Sequence, residues 1–393
     1  MAQAAETRPD STPESASESA VHPWPVEVPQ AQLDDLQARL ANARWPEKEP
    51  VDDWSQGAPL DRMRDLVAYW QTRYDWRRCE AELNSFGSYR TTIDGLGIHL
   101  LHSRSPNPDA MPLLITHGWP GSVIEFARII GPLTDPAAHG GDPADAFHVI
   151  APTLPGYGFS DKPTRPGVGV EWIAKAWEEI MARLGYDTWY AQGGDWGAAV
   201  TTQLGHIRAR GLQAIHLNMP SFVPERDDPN PGPAERRALD RNRAHRHEHT
   251  GYSRIQSTKP QTLGYALADS PLGQAAWIYE KMHAWTDNDG DPEEILSKDE
   301  ILDNIMMYWL PAAGGSSGRL YWESFRRKPP LVDIPTMATV FPEEIVPAPR
   351  SWCEKVYTDI RRWSEAEKGG HFAAFEQPEI FVREIRDAFR PFR

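Results

Sequence analysis

Residues 193–197 read Gly-Gly-Asp-Trp-Gly, with the apolar run "TWYAQ" before them and the helix-like "AAVTTQLG" after. A residue framed by glycines between a strand and a helix sits on a sharp turn that exposes its side chain at the top of a sheet. Serine is the usual occupant of such a turn, but here it is Asp195. A carboxylate in that place can attack an electrophilic carbon and form an ester. The helix N-terminus beneath it favours the ionised form, and the backbone N–H of Trp196 faces the reacting group. The plainer alternative is that Asp195 only caps the helix.

Three further segments bear on this choice. His117-Gly118-Trp119-Pro120 follows the strand-like "LLIT". It lies where a second oxyanion donor is needed, supplied by the N–H of Trp119, with Pro120 fixing the loop and allowing a cis bond. Gly156-Tyr157-Gly158-Phe159-Ser160 suits a loop lining a crevice beside the nucleophile. Gly369-Gly370-His371-Phe372 stands late in the chain, where the order nucleophile, acid, histidine places a general base. The orienting acid then falls between Asp195 and His371. "TVFPEEIVP" offers Glu343 and Glu344, Asp359 is a third candidate, and the pattern leaves all three open. His245, His247 and His249 crowd "RNRAHRHEH". Only His245 and His249 could share a helix face, and a solvated surface is the expected reading. No metal and no other cofactor is expected.

Positioning such residues takes a particular set of elements. "SYRTTI" and "IHLLHS" flank the turn "DGLG" and predict a hairpin. "PLLITHG", "FHVIAPTLPG", "TWYAQGG" and "AIHLNMP" are short apolar runs separated by helical stretches such as "EWIAKAWEEIMARLG". That alternation predicts an α/β fold, with a mostly parallel sheet and helices on both faces. Residues 221–330 are charged, rich in Trp and Tyr and without a strand-like run, and predict a helical lid inserted into the α/β core of residues 86–220 and 331–393. "TMATVF" and "KVYTDI" are the strands expected after the lid, and "PEIFVREIRDAF" the closing helix. Residues 22–85 read as a helical meander, and the polar, Ser/Glu/Pro-rich residues 1–21 as a disordered tail.

The formal charge of −15 argues against nucleic acid or an anionic membrane as partner. No apolar run is long enough to cross a bilayer, and no basic segment precedes an apolar one as in a secretory signal. Cys79 and Cys353 are too few for a disulfide framework. A cytoplasmic enzyme or binding protein is therefore expected.

Taken in order, "HGWPGS", "GYGFS", "GGDWG" and "GGHFAAFEQPE" resemble the epoxide hydrolases of the α/β-hydrolase fold, in particular the microsomal-type branch with its fungal and bacterial members. "HPWPVEVPQAQLDDLQARLANARWP" is similar to the N-terminal domain of that branch, so the resemblance spans nearly the whole chain after the tail. Membrane-bound relatives carry an N-terminal anchor where this chain has a polar tail, and Met337 stands where the family often has glycine. In this branch the relay acid stands two residues after a Phe-Pro pair, which selects Glu344. "TGYSRIQSTKP" and "RLYWE" match the two lid-tyrosine motifs and assign Tyr252 and Tyr321 to the epoxide oxygen. The resemblance thus implies hydrolysis of an epoxide to a vicinal diol, with Asp195 as nucleophile, His371 and Glu344 activating water, and Trp119 and Trp196 as oxyanion donors. It also implies a homodimer. The aromatic lid suggests a bulky, apolar epoxide, from a natural product or a compound to be detoxified.

Two rival readings have recognisable signatures. A haloalkane or haloacid dehalogenase would use the same aspartate and hold halide on the Trp119 and Trp196 indoles, but has no need of two lid tyrosines. A non-catalytic ligand-binding relative would be expected to lose members of the triad, whereas Asp195, Glu344 and His371 are all present.

Overall fold

The computed structural model describes residues 20–225, 229–325 and 327–393. Most of the expected disordered tail, residues 1–19, lies outside them.

Nine strands form one sheet: β1 (His22–Pro23), β2 (Ser88–Ile93), β3 (Leu96–Ser103), β4 (Met111–Thr116), β5 (Phe147–Pro152), β6 (Trp189–Gly193), β7 (Leu212–Leu217), β8 (Thr336–Val340) and β9 (Ile360–Glu365). Their spatial order is β1-β2-β3-β5-β4-β6-β7-β8-β9. The β2–β3 hairpin turns on Asp94 and Gly95, both at positive φ. β1, β2 and β3 are antiparallel to their neighbours, and every pair from β5 to β9 is parallel. The central strands are mostly apolar because both faces are covered: Leu113, Leu114, Val149, Ile150, Ala191 and Ile215 have no exposed surface. Helix Val170–Arg183 packs on helix Asp195–His206, and helix Ala127–Thr134 on helix Pro378–Phe389, one layer to each face.

Two strands depart from expectation. The last strand is Ile360–Glu365, not "KVYTDI". Val356 and Tyr357 are apolar because they are buried in the turn after the short helix Arg350–Cys353, where Tyr357 makes only an isolated bridge to Val332. The true strand, "IRRWSE", is charged because it is the sheet edge and largely half-exposed. At the opposite edge, His22–Pro23 adds a two-residue strand to β2 inside a segment that reads as helical. A strand so short leaves no periodicity to detect.

Between β7 and β8 the chain forms the helices Pro233–Glu248, Gly251–Thr258, Pro260–Asp269, Pro271–Trp285, Lys298–Trp309 and Gly314–Ser324. They lie on the side where the parallel strands end, the side on which an open α/β sheet binds its ligand. The N-terminal helices Gln30–Ala41, Leu60–Thr72 and Trp76–Ser85 pack against insertion helices Pro271–Trp285 and Lys298–Trp309. No helix among the described residues is long and apolar enough to cross a membrane.

Candidate active site

β6 ends at Gly193, and the chain reverses through Asp195, whose φ is +50°, into helix Asp195–His206. A non-glycine residue there is strained, a condition that persists only where surrounding packing holds it. The packing is visible at Gly197, where a Cβ would lie 1.8 Å from the carbonyl oxygen of Thr116. Gly194, not Asp195, is the N-cap of that helix. Asp195 Oδ1 accepts the N–H of Trp119 at 2.7 Å. The N–H of Trp196 donates to the same carboxylate. Asp195 therefore does more than close the first turn of its helix, since it also ties that turn to the Trp119 loop. Helix-end stabilisation does not win outright, however. Burial raises the Asp195 pKa above the ordinary carboxylate value, and His371 with the two N–H donors pulls it only part of the way back.

The loop after β4 carries Trp119, and the Trp119–Pro120 bond is cis. Gly118 is needed because a Cβ would fall 2.2 Å from Asp195 Oδ1. Insertion helix Lys298–Trp309 pins this loop. Asn304 Nδ2 donates to the Pro120 carbonyl at 2.8 Å, and Tyr308 Oη to that of Gly121 at 2.7 Å. His117 is structural: Nδ1 meets the Gly118 carbonyl, Nε2 accepts the Leu154 N–H, and burial pulls its pKa down to about 4. The Gly156–Ser160 loop is held against the insertion by Ser316 Oγ on the Gly156 carbonyl at 2.6 Å.

His371 follows β9 on the glycine loop. Its Nδ1 is 2.8 Å from Glu344 Oε1, and its Nε2 is 3.6 Å from Asp195 Oδ2. Of the three acids left open by the pattern, only Glu344 meets the histidine. Glu343 pairs with Arg241 and Asp359 with Arg361, both toward solvent. Burial lowers the pKa of His371, but Glu344, and after it Asp195 and Glu125, outweigh that and raise it to about 9. The resting histidine is therefore an imidazolium between two carboxylates.

Tyr252 and Tyr321 come from two insertion helices and meet over Asp195. Their rings are 5.9 Å apart and their hydroxyls share a hydrogen bond. Tyr252 stacks on Trp119 at 4.9 Å, and Tyr321 meets Trp196 edge-on at 4.8 Å. Burial pushes both phenols well above their usual range, with Asp195 adding to it at each and Tyr252 adding to it at Tyr321, so they stay neutral donors. Both phenols and Asp195 line a cavity of about 690 Å³, whose walls include Trp196, Met219, Phe222, Phe325 and Ile345. That size accommodates a substantial organic molecule.

Three further groups near the site, Trp285, Glu376 and Glu125, are absent from the sequence-based candidates. Trp285 accepts the N–H of His371 on its carbonyl at 2.9 Å and stands its ring 5.0 Å from both His371 and Tyr252. Glu376 accepts backbone N–H groups from Asp287, Gly370 and Phe372 at 2.7, 3.0 and 2.9 Å, joining the insertion to the histidine loop. Glu125 is described below. The "GGHFAAFE" spacing could have pointed to Glu376 as a clamp on its own loop. His245 lies in the wall of the large cavity, 5.9 Å from the His249 ring, and among the described residues no group of His, Cys, Asp or Glu is arranged to hold a metal.

Comparison with known proteins gives the family. The family model described as epoxide hydrolase N terminus matches residues 21–126, and that of the alpha/beta hydrolase fold matches residues 111–378. A protein of Stigmatella aurantiaca, provisionally named an epoxide hydrolase, is 56% identical over 95% of this chain and 86% of its own length. Epoxide hydrolase 1 of Sus scrofa is 34% identical over 96% of this chain and 90% of its own. The crystal structure of juvenile hormone epoxide hydrolase from the silkworm Bombyx mori superposes with a TM-score of 0.87 at 31% identity, covering 95% of each chain. The Aspergillus niger epoxide hydrolase gives 0.84 at 29%, covering 95% of this chain and 98% of its own. A strained aspartate on the elbow, a histidine and a buried glutamate behind it and two phenols in front thus occur in a chain that belongs to the epoxide hydrolases of the α/β-hydrolase fold.

Proposed function

We propose that this epoxide hydrolase opens a bulky, apolar epoxide through a covalent ester on Asp195. The observation that carries the reading is the position of the Asp195 carboxylate. One oxygen accepts the Trp119 N–H, the other lies 3.6 Å from His371, and two neutral phenols share its cavity.

Oδ1, bound to the Trp119 N–H, becomes the ester carbonyl, so Oδ2 attacks the ring carbon from the back face. The C–O bond breaks toward Tyr252 and Tyr321, and one phenol transfers its proton to the alkoxide. Burial keeps both phenols protonated, so a proton is at hand for that transfer. The phenolate then recovers a proton from the His371 imidazolium. Ester formation has also removed the Asp195 charge that helped hold that proton. Neutral His371, oriented by Glu344, takes a proton from water, and the hydroxide adds to the ester carbonyl. The oxyanion rests on the N–H groups of Trp119 and Trp196. Collapse expels the diol oxygen, which takes the proton of the new carboxylic acid, and the resting charges return.

The nucleophile suits this chemistry. A serine would leave an ether that water does not readily cleave, whereas a carboxylate leaves an ester that a His–Glu pair can hydrolyse. Asp195→Ala is expected to abolish diol formation, and His371→Gln to trap the alkyl-enzyme as a mass increase on the intact protein. Full activity in either variant would refute the mechanism. The apolar walls support aryl and fused-ring epoxides as substrates, to be ranked by product regiochemistry and enantioselectivity. A tailoring role on a natural product is the favoured setting over detoxification. We further infer a cytoplasmic location, supported by two buried thiols with no disulfide, and a homodimer, supported by the family resemblance and tested by sedimentation.

A further inference from the structure

Asp195 lines two cavities that share no other residue. The larger carries both phenols, whereas the smaller, about 20 Å³, carries His371 and Glu125. A space of that size holds one water molecule and excludes any organic substrate. Its other polar walls are Thr116, His117, Gln192 and Asn218. Gln192 is 1% exposed. Its Nε2 donates to Asn218 Oδ1 at 2.8 Å, while its Oε1 has no partner within the protein.

Glu125 enters this cavity from the 3₁₀ turn Val123–Phe126, just beyond the loop that carries Trp119. Its Oε1 lies 1.4 Å from where a Cβ on residue 121 would stand, so Gly121 is what makes room for the carboxyl. Burial, helped by the Asp195 charge and opposed by His371, pushes that carboxyl up to about 8. No step of the mechanism above uses it.

We propose that the small cavity behind Asp195 is the compartment of the hydrolytic water, and that Glu125 is a positioning residue that holds this water, with the Gln192 amide oxygen, for attack while His371 takes its proton. The inference rests on the aspartyl-ester reading. A neutral carboxyl presents one O–H donor and one carbonyl acceptor, so it orients a water without competing with His371 for the proton. Water and epoxide then reach the same carboxyl group from two separate chambers. The water is in place before the epoxide arrives, and the product alcohol does not block it.

The test is single-turnover kinetics with an aryl epoxide, resolving alkylation from ester hydrolysis by quenched-flow mass spectrometry. Glu125→Leu is expected to leave alkylation unchanged and to slow hydrolysis about 10- to 100-fold, the range for a misplaced reactant, so that alkyl-enzyme accumulates. Glu125→Gln, an isostere of the neutral acid, is expected to restore hydrolysis to within about threefold of wild type. Gln192→Met, which removes the amide oxygen at similar volume, is expected to repeat the Leu signature and serves if Glu125→Leu does not fold. Equal loss of both steps, or undiminished hydrolysis in Glu125→Leu, would overturn the proposal. Hydrolysis as slow in Glu125→Gln as in Glu125→Leu would assign the residue to proton transfer and also overturn it. Failure of the ester reading is separately visible, because His371→Gln would then accumulate no alkyl-enzyme.

Discussion

At the scale of single residues, the charge on His371 is the quantity that changes through the cycle. Its pKa of about 9 in the resting enzyme is built chiefly by Glu344 and Asp195 against the cost of burial. Esterification of Asp195 removes one of these two anions. The hydrolysis rate constant, which needs neutral His371, is therefore expected to fall toward acid pH with an apparent pKa below that of the resting histidine. Comparing the pH profile of single-turnover hydrolysis with an NMR titration of resting His371 checks this, and coincident values would contradict it. The same elevation has a thermodynamic counterpart. The folded pKa exceeds the unfolded value of 6.5, so its contribution to stability is complete below pH 6.5 and lost as pH rises through about 9. Urea unfolding of wild type and His371→Gln is expected to show an advantage for wild type that shrinks across that window.

At the scale of elements, the site is a junction of loops held by backbone contacts. The Glu376 carboxylate takes three N–H groups, from the residues on either side of His371 and from Asp287 in the insertion. Hydrogen bonds to a charged group contribute about 1.5–3 kcal/mol each, and a buried N–H left unpaired is costly. Glu376→Ala is expected to cost about 3 kcal/mol or more in urea unfolding, and to slow ester hydrolysis more than alkylation because it frees the His371 loop and not Asp195. Comparable slowing of both steps would mean that the clamp also shapes the nucleophile elbow. That elbow tolerates little. Gly197→Ala would press a methyl into the Thr116 carbonyl at 1.8 Å, and little or no folded protein is expected on expression.

At the scale of the whole molecule, the N-terminal helices bind the helical insertion. Asp303 of the insertion, 3% exposed, receives Tyr74 Oη at 2.7 Å and both contacts of Arg78 at 2.6 and 2.7 Å. Arg62 adds Asp291 at 2.7 Å. Arg78 is half-exposed, but its removal leaves the buried Asp303 carboxyl with one partner fewer, at a cost of about 1–3 kcal/mol. Arg78→Ala is expected to speed amide hydrogen exchange in helix Lys298–Trp309 while leaving the central strands protected. Since Asn304 and Tyr308 of that helix pin the oxyanion loop, alkylation is expected to slow as well. Unchanged exchange in the helix would show that the N-terminal segment is not its anchor.

What the sequence determined by itself was the chemistry and its chain order. A glycine-framed aspartate, a late histidine in a glycine loop and a helix-rich interruption of an alternating α/β pattern are local features, each written in consecutive residues. Composition could not rank Glu343, Glu344 and Asp359, because all are equally polar on paper. The tertiary structure separates them by burial and reach, turning one toward His371 and two toward solvent arginines. The edge strands escaped because half-exposed or two-residue strands carry no apolar period. Glu125 escaped for a stronger reason. Its sequence neighbours are ordinary, and only the folding of the Trp119 loop against β6 and the His371 loop brings its carboxyl, the Gln192 amide and the nucleophile around one small cavity. Charge states followed the same division. Residue types named Asp195 and His371 as acid and base, but burial and the neighbouring charges, which exist only in the fold, decided how each holds its proton.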